Sequence, residues 1–180
     1  MNKERKQKKS YNYNVNQLVI MGALSAIDVI LRRFLSINTP ITRIGFAFVA
    51  EAIAAIVLGP LQAAAVGGIA DVIGAILFPS GGFFPGFTLT AIIIGFIYGL
   101  FLHKKVTIVR IVCAVTVTQF VCSLGLNTLW LSIITGSSYA ALLSTRLIQG
   151  VVTGVVQIAT IILLQGSLVL IKRQVQTVER

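Results

Sequence analysis

The chain has 180 residues, of which 56% are hydrophobic and 11% are charged, and its formal net charge is +10. Soluble domains carry about 25% charged residues, so this composition excludes an ordinary soluble domain. The basic residues gather at the two chain ends and in one short internal segment, which indicates orientation in a lipid bilayer and not nucleic-acid binding.

The apolar segments predict six membrane-spanning helices, because one span needs roughly 17–25 apolar residues. Segment 44–78 is too long for one crossing, and Gly59-Pro60 predicts a break near its middle. In chain order the predicted spans are 15–31, the two halves of 44–78, 86–102, 106–134 and 147–171. The fifth span is expected to be irregular at its end. The predicted fold is an all-α, six-helix membrane bundle over residues 15–172.

The basic residues predict the orientation of this bundle. Six spans place both chain termini and the turn between spans four and five on one side. That side carries 11 of the 15 basic residues, namely Lys3, Arg5, Lys6, Lys8, Lys9, Lys104, Lys105, Arg110, Lys172, Arg173 and Arg180. The positive-inside rule makes it the cytoplasmic side. We therefore expect a basic cytoplasmic tail at 1–14 and a second cytoplasmic tail at 173–180.

The remaining four basic residues are all arginines at or near the predicted outer face: Arg32, Arg33, Arg43 and Arg146. One interpretation is that they reach to the lipid headgroups. The other is that they bind an anionic ligand, because a planar guanidinium matches a carboxylate bidentately. We take Arg33, Arg43 and Arg146 as candidate ligand-binding residues and leave both interpretations open.

Three carboxylates lie at membrane depth, where each needs a partner. Asp28 precedes Arg32 by four residues, which predicts a structural ion pair within one helix. Glu51 and Asp71 either border a polar cavity or satisfy helix packing. Of these two, Asp71 is the better candidate for a hydrogen bond to a ligand.

Small residues recur every four positions on three of the predicted spans and predict close helix packing. These stripes are Ala63, Gly67, Asp71 and Ala75; Phe83, Phe87, Ala91, Gly95 and Gly99; and Arg146, Gly150 and Gly154. Two of the stripes end, at the predicted outer face, in candidate ligand-binding residues, namely Phe83 and Phe87 on one and Arg146 on the other. Close packing of the small residues would direct these side chains toward the bundle interior.

The segment from 77 to 87 is rich in Gly, Pro and Phe and contains no charge. A solvated loop is normally polar, whereas a loop that contacts an aromatic ligand can be apolar. Phe83, Phe84 and Phe87 are therefore candidate ligand-binding residues.

Several activities lack the residues they require. There is no phosphate-binding G-x-x-x-x-G-K-[ST] motif, and the single histidine, His103, lies at the predicted cytoplasmic turn. We predict neither a catalytic set nor a metal site, so the chain is not expected to be an enzyme. Polar stripes along several spans, which a channel requires, are not evident. These features favour a membrane protein that binds a ligand while another protein supplies the energy.

Four segments of the sequence carry a further pattern: RRFLSINTPITRIGFAF, GPLQAAAVGGIADVIGAILFPSGGFFPGFTLTA, LNTLWLSIITG and STRLIQG. They resemble the folate-specific S components of energy-coupling factor (ECF) transporters. The resemblance implies a multi-pass protein of the bacterial cell membrane that binds folate or reduced folates from outside. It also implies docking on a module of one transmembrane T subunit and two ATPase subunits, so that the chain itself needs no cofactor. The whole S component is then expected to tilt in the membrane to deliver its ligand.

The resemblance also implies roles for particular residues. The loop phenylalanines would cover the flat part of folate, the outer arginines would bind its carboxylates, and Asn127 would suit the pterin edge. Trp130 lies three residues after Asn127 and either stacks on the ligand or belongs to an interfacial aromatic belt.

Small residues on the first span would contact the T subunit. The family pattern there is Ala-xxx-Ala, and the nearest match is Gly22-xxx-Ala26, with Ala23 beside it. The alternatives to a folate S component are an S component for another vitamin, a self-contained carrier or channel, and a structural membrane protein without a ligand.

Overall fold

The computed structural model describes residues 15–38, 43–78 and 83–178, and these residues are helical apart from one short hairpin and the connecting turns. The predicted tail at 1–14 lies outside the described residues. In chain order the elements are α1 (Val15–Arg33), β1 (Ser36–Asn38), β2 (Arg43–Gly45), α2 (Ala47–Val57), α3 (Pro60–Leu77), α4 (Pro85–Leu102), α5 (Ile108–Val117), a π-helical segment (Thr118–Asn127), α6 (Thr128–Thr135) and α7 (Tyr139–Val178).

Five helical stretches within the described ranges are long and apolar enough to cross a membrane. They are Val15–Arg33, Pro60–Leu77, Pro85–Leu102, Ile108–Thr135 and Tyr139–Lys172. Helix α2 is apolar but has only 11 residues, which gives about 16 Å of helix against a hydrocarbon core of about 30 Å. A helical membrane fold with five spanning candidates is therefore confirmed, whereas the sixth crossing stays a prediction.

The break predicted at Gly59-Pro60 separates α2 from α3. Gly59 adopts a φ of 108°, a backbone conformation that favours glycine, and Pro60 is the first residue of α3. The amides of Leu58 and Gly59 both donate to the carbonyl of Ala54, which closes the last turn of α2. The prediction of two helices and a tight turn is confirmed.

The irregularity of the fifth span lies in its middle and not at its end. A π-helical segment of 10 residues joins α5 to α6 in one continuous stretch. The helix ends at Gly136, which adopts the left-handed conformation with a φ of 66°. Helix α7 then begins at Tyr139, ahead of the predicted start at 147, and continues past the predicted membrane boundary to Val178.

The hairpin between α1 and α2 was not predicted, so the all-α description was incomplete. Its two strands have three residues each and pair antiparallel, with Ile37 opposite Ile44 and Asn38 opposite Arg43. The sequence between Ile37 and Ile44 contains Asn-Thr-Pro, a turn signal flanked by β-branched residues. The hairpin was overlooked because it is far shorter than the neighbouring spans.

Helices α3 and α4 pack closely along the predicted stripes of small residues. A Cβ atom added at Gly67 would lie 2.9 Å from the carbonyl oxygen of Ala91. One added at Gly95 would overlap the carbonyl of Ala63. The glycines therefore let the two backbones approach, as the spacing predicted.

Candidate ligand-binding site

A polar cavity of about 250 Å³ lies among α1, α2, α4, the α5–π stretch and α7. Its lining residues are Arg32, Gly45, Ala47, Phe48, Glu51, Ile94, Tyr98, Thr118, Gln119, Ser123, Asn127, Arg146, Gln149, Thr153 and Gln157. Polar side chains inside an apolar bundle are costly, and they mark binding sites or transport pathways. We refer to this space as the polar cavity.

Two of the residues predicted to bind a ligand, Asn127 and Arg146, line the polar cavity. Asn127 is the last residue of the π-helical segment, and its buried Oδ1 has no hydrogen-bond partner among the described residues. Arg146 lies on α7 in the stripe with Gly150 and Gly154. A Cβ at Gly154 would pack 3.5 Å from Gln119, so the stripe faces the π-helical segment, in agreement with the inward direction predicted for Arg146.

A buried ionic cluster adjoins the polar cavity and contributes Arg32 and Glu51 to its lining. The guanidinium of Arg32 donates to Glu51 Oε1 at 2.8 Å, to both carboxylate oxygens of Asp28 at 3.2 Å, and to Asp71 Oδ1 at 3.4 Å. Thr88 donates to Asp71 Oδ2 at 2.8 Å. We refer to Asp28, Arg32, Glu51 and Asp71 as the ionic cluster, which joins α1, α2 and α3.

The ionic cluster decides between interpretations that the sequence left open. The predicted pair between Asp28 and Arg32 is confirmed, but Arg32 also contacts two carboxylates on other helices. Glu51 is 3% exposed and lines the polar cavity. Asp71 is held by Arg32 and Thr88 and is not among the cavity-lining residues, so its contact with a ligand stays a prediction.

The predicted aromatic residues form a cluster at the start of α4. The ring centroids of Phe84 and Trp130 are 5.6 Å apart, and those of Phe84 and Phe87 are 6.1 Å apart. The Trp130 Nε1–H group donates to Thr90 Oγ1 at 3.1 Å, which orients the indole against α4. Phe83 is 57% exposed and has no ring contact of this kind among the described residues. Three of the four predicted aromatic residues are therefore brought together.

Arg33 is placed differently from Arg146, and Arg43 is described only by its backbone. The Arg33 guanidinium lies against α3, where a Cβ on Gly74 would be 3.1 Å from its Nε. Arg43 is the first residue of β2, opposite Asn38, and its side chain lies outside the described part of the chain. Arg33 is not among the described residues that line the polar cavity, and the ligand contacts of both arginines stay predictions.

The comparisons with known proteins identify the family. Residues 16–165 match a family model described as "ECF transporter, substrate-specific component". The chain belongs to this family. The resemblance of its sequence segments to S components is thereby confirmed, and the chain is a membrane protein of a transporter family and not of an enzyme family.

Relatives of this S component carry the name Folate transporter FolT. The protein from Clostridium novyi (strain NT) is 43% identical over 136 residues, which are 75% of this chain and 79% of that protein. The protein from Leuconostoc mesenteroides subsp. mesenteroides is 33% identical over 152 residues, covering 81% of this chain and 82% of that protein.

A solved structure has the same fold as this S component. The crystal structure of FolT bound with folic acid matches with a TM-score of 0.75 and 34% sequence identity. The match covers 82% of this chain and 90% of that chain.

Several polar residues of the S component's cavity were missed from the sequence. The expectation that polar stripes are lacking was wrong, because two such stripes face the polar cavity. They are Gln119, Ser123 and Asn127 on the π-helical segment, and Arg146, Gln149, Thr153 and Gln157 on α7. Their spacing of three and four residues inside apolar spans was the signal that could have revealed them.

The predicted docking residues lie on the outer surface of the S component. Gly22, Ala23 and Ala26 are exposed on α1, and a Cβ at Gly22 would meet no atom within 4 Å. Gly22 and Ala26 also line an apolar groove of about 480 Å³ between α1 and α3. Their contact with a T subunit stays a prediction.

Proposed function

We propose that this chain is the high-affinity folate-binding subunit of a bacterial ECF-type vitamin uptake transporter. The observation that carries the proposal is a polar cavity inside a chain that shares 34% identity and a TM-score of 0.75 with FolT bound with folic acid. The names of both curated relatives support the same ligand.

The chemistry of the cavity supports a ligand such as folate, which combines a flat pterin, an aminobenzoate and a glutamate. Asn127 donates and accepts hydrogen bonds, which suits the edge of a pterin ring. Arg146 is half-buried on the cavity wall and supplies a guanidinium for a carboxylate or carbonyl oxygen. The aromatic cluster of Phe84, Phe87 and Trp130 offers ring contacts worth about 0.5–1.5 kcal/mol beyond burial.

The size of the polar cavity bears on how folate is held. Pockets for drug-sized ligands usually measure about 300–1,000 Å³, whereas this cavity measures about 250 Å³. We expect the ligand to fill this cavity and to extend beyond it toward the aromatic cluster.

Delivery to the cytoplasm rests on partner proteins in this proposal. The sequence carries no phosphate-binding loop, so a T subunit and two ATPase subunits would supply the energy. The chain would lie in the plasma membrane with six crossings and both termini in the cytoplasm. The exposed small residues of α1 would form the docking surface for the T subunit.

Mass spectrometry of small molecules that co-purify with the detergent-solubilised protein tests the choice of ligand. We expect folic acid or a reduced folate in an amount close to that of the protein. Recovery of a different vitamin would overturn folate as the ligand and leave the S-component family unaffected. A membrane protein of unrelated family, prepared in parallel, controls for folates carried over from the cells.

A further inference from the structure

The ionic cluster contains more formal negative charge than positive charge. One guanidinium, that of Arg32, contacts three carboxylates on three helices. Asp28 and Glu51 are 0% and 3% exposed, so bulk water does little to balance their charges. A buried carboxylate needs several partners, and a single guanidinium shared among three carboxylates does not provide them all.

Only one carboxylate of the ionic cluster borders the polar cavity. Glu51 is a lining residue, whereas Asp28 and Asp71 are not among the lining residues. Its Oε1 accepts from Arg32 Nη2 at 2.8 Å, which fixes the carboxylate at the wall. Glu51 is therefore the carboxylate that the ionic cluster presents to the cavity, beside the Arg32 guanidinium.

The opposite wall of the polar cavity also presents acceptors without donors. The buried oxygens Gln119 Oε1 and Asn127 Oδ1 have no hydrogen-bond partner within the described ranges. The Gln119 amide is oriented because its Nε2 donates to Gln157 Oε1 at 3.0 Å, and Tyr98 donates to that same oxygen at 3.4 Å. Buried acceptors are normally satisfied, so these oxygens indicate hydrogen-bond donors on a ligand.

We propose that Glu51 is a specificity-determining residue that accepts hydrogen bonds from the 2-amino group and the N3–H group of the pterin ring. This inference rests on folate as the proposed ligand. An ionised carboxylate accepts two parallel N–H bonds and offers acceptors only, which matches two adjacent donors on one ring edge. Asp28 accepts from Nε and Nη2 of Arg32, and Asp71 accepts from Nη1, so both help to orient the guanidinium that contacts Glu51.

The test compares folic acid with an analogue in which a methyl group replaces the 2-amino group. Calorimetry measures the affinity of both ligands for the purified wild-type protein, Glu51→Gln and the matched control Asp28→Asn. Asp28→Asn also removes one carboxylate charge from the ionic cluster but changes no cavity-lining residue. Thermal unfolding followed by Trp130 fluorescence checks the fold, and Glu51→Asp replaces Glu51→Gln if the latter does not fold.

We expect Glu51→Gln to weaken folic acid binding by about 10- to 100-fold, since hydrogen bonds to a charged group are the stronger class. The analogue keeps the N3–H donor but lacks the 2-amino donor, so it should bind the wild type more weakly than folic acid does. Glu51→Gln should weaken the analogue by a smaller factor than it weakens folic acid. Asp28→Asn should change both affinities by the same factor. If Glu51→Asp is used, it should again affect folic acid more than the analogue.

The inference is overturned if Glu51→Gln weakens both ligands equally or leaves folic acid unaffected. Either result would assign Glu51 a structural role while folate remained the ligand. If the wild type binds neither compound, the proposed function fails, and the inference fails with it. The wild-type titration with folic acid therefore distinguishes the two failures.

Discussion

Arg146 and Arg33 are both predicted outer arginines, but their surroundings differ. Arg146 lines the polar cavity, whereas Arg33 lies against Gly74 of α3. A guanidinium that only reaches to lipid headgroups would be dispensable for ligand binding. The position of Arg146 favours the alternative, in which it donates to an oxygen of the ligand.

We predict that Arg146→Gln weakens folic acid binding by about 2–5 kcal/mol, the range for removing one partner of a buried charge pair. This corresponds to roughly 30- to several-thousand-fold in Kd. Calorimetry on the purified variant provides the measurement, and Arg33→Gln is the matched control, expected to change the affinity less. Pteroic acid, which lacks the glutamate, should be affected little if Arg146 binds a carboxylate. Unchanged folic acid affinity in Arg146→Gln would contradict the prediction.

Contacts of the site within one helix could be predicted from the sequence, whereas contacts between helices could not. The pair of Asp28 and Arg32 was predicted because four residues separate them on one helix. The contacts of Arg32 with Glu51 and Asp71 span 19 and 39 positions, so they depend on how α1, α2 and α3 pack. The role of Glu51 was left open for that reason.

Helix α1 presents small exposed residues on a surface suited to close helix contact. Ala23 and Ala26 are exposed, and α1 is a spanning candidate of 19 residues. Small side chains allow two backbones to approach within a bilayer, where packing replaces the hydrophobic driving force. This is the surface on which we expect the T subunit to dock.

We predict that Ala23→Trp or Ala26→Trp prevents co-purification with the T subunit, because the indole would separate the helix backbones. Ala159→Trp, at an exposed position on α7, is the matched control and should leave co-purification intact. Folic acid binding should persist in all three variants, since the polar cavity does not include these positions. Co-purification that survives both α1 substitutions would show that this face is not the docking surface.

Elements were predictable where a strong local signal marks them. Pro60 cannot continue the hydrogen bonding of α2 and Gly59 provides the positive φ, so their break was visible in the sequence. The π-helical segment Thr118–Asn127 has no comparable marker, because its residues also suit an α-helix. The long first part of α7 was missed because the polar residues from 139 to 146 lowered the apparent hydrophobicity.

The orientation of the whole molecule depends on whether α2 contributes a crossing. Five helical stretches in the described part of the chain are long enough to span, and an odd number of crossings would place the two termini on opposite sides. The distribution of 11 of the 15 basic residues predicts that both termini lie in the cytoplasm. The short helix α2 would then supply the sixth crossing, and α3 would cross the membrane in the opposite direction.

We predict that single cysteines at both termini resist labelling from outside by a membrane-impermeant thiol reagent. Cys113 and Cys122 are first replaced by serine, and Lys8→Cys or Gln176→Cys is then introduced. Ser137→Cys, in the exposed turn between α6 and α7, is the control that should be labelled from outside. External labelling at position 8 or 176 in intact cells would overturn the orientation.

Equilibrium binding of labelled folic acid to the purified protein, without nucleotide or partner subunits, tests the central claim most directly. We expect saturable binding with one site per chain, because the polar cavity lies within a single chain. An excess of unlabelled folic acid should displace the label, and an excess of riboflavin or thiamine should not. An absence of saturable binding by the folded protein, or displacement by either of those vitamins, would contradict the assignment of this chain as a folate-binding S component.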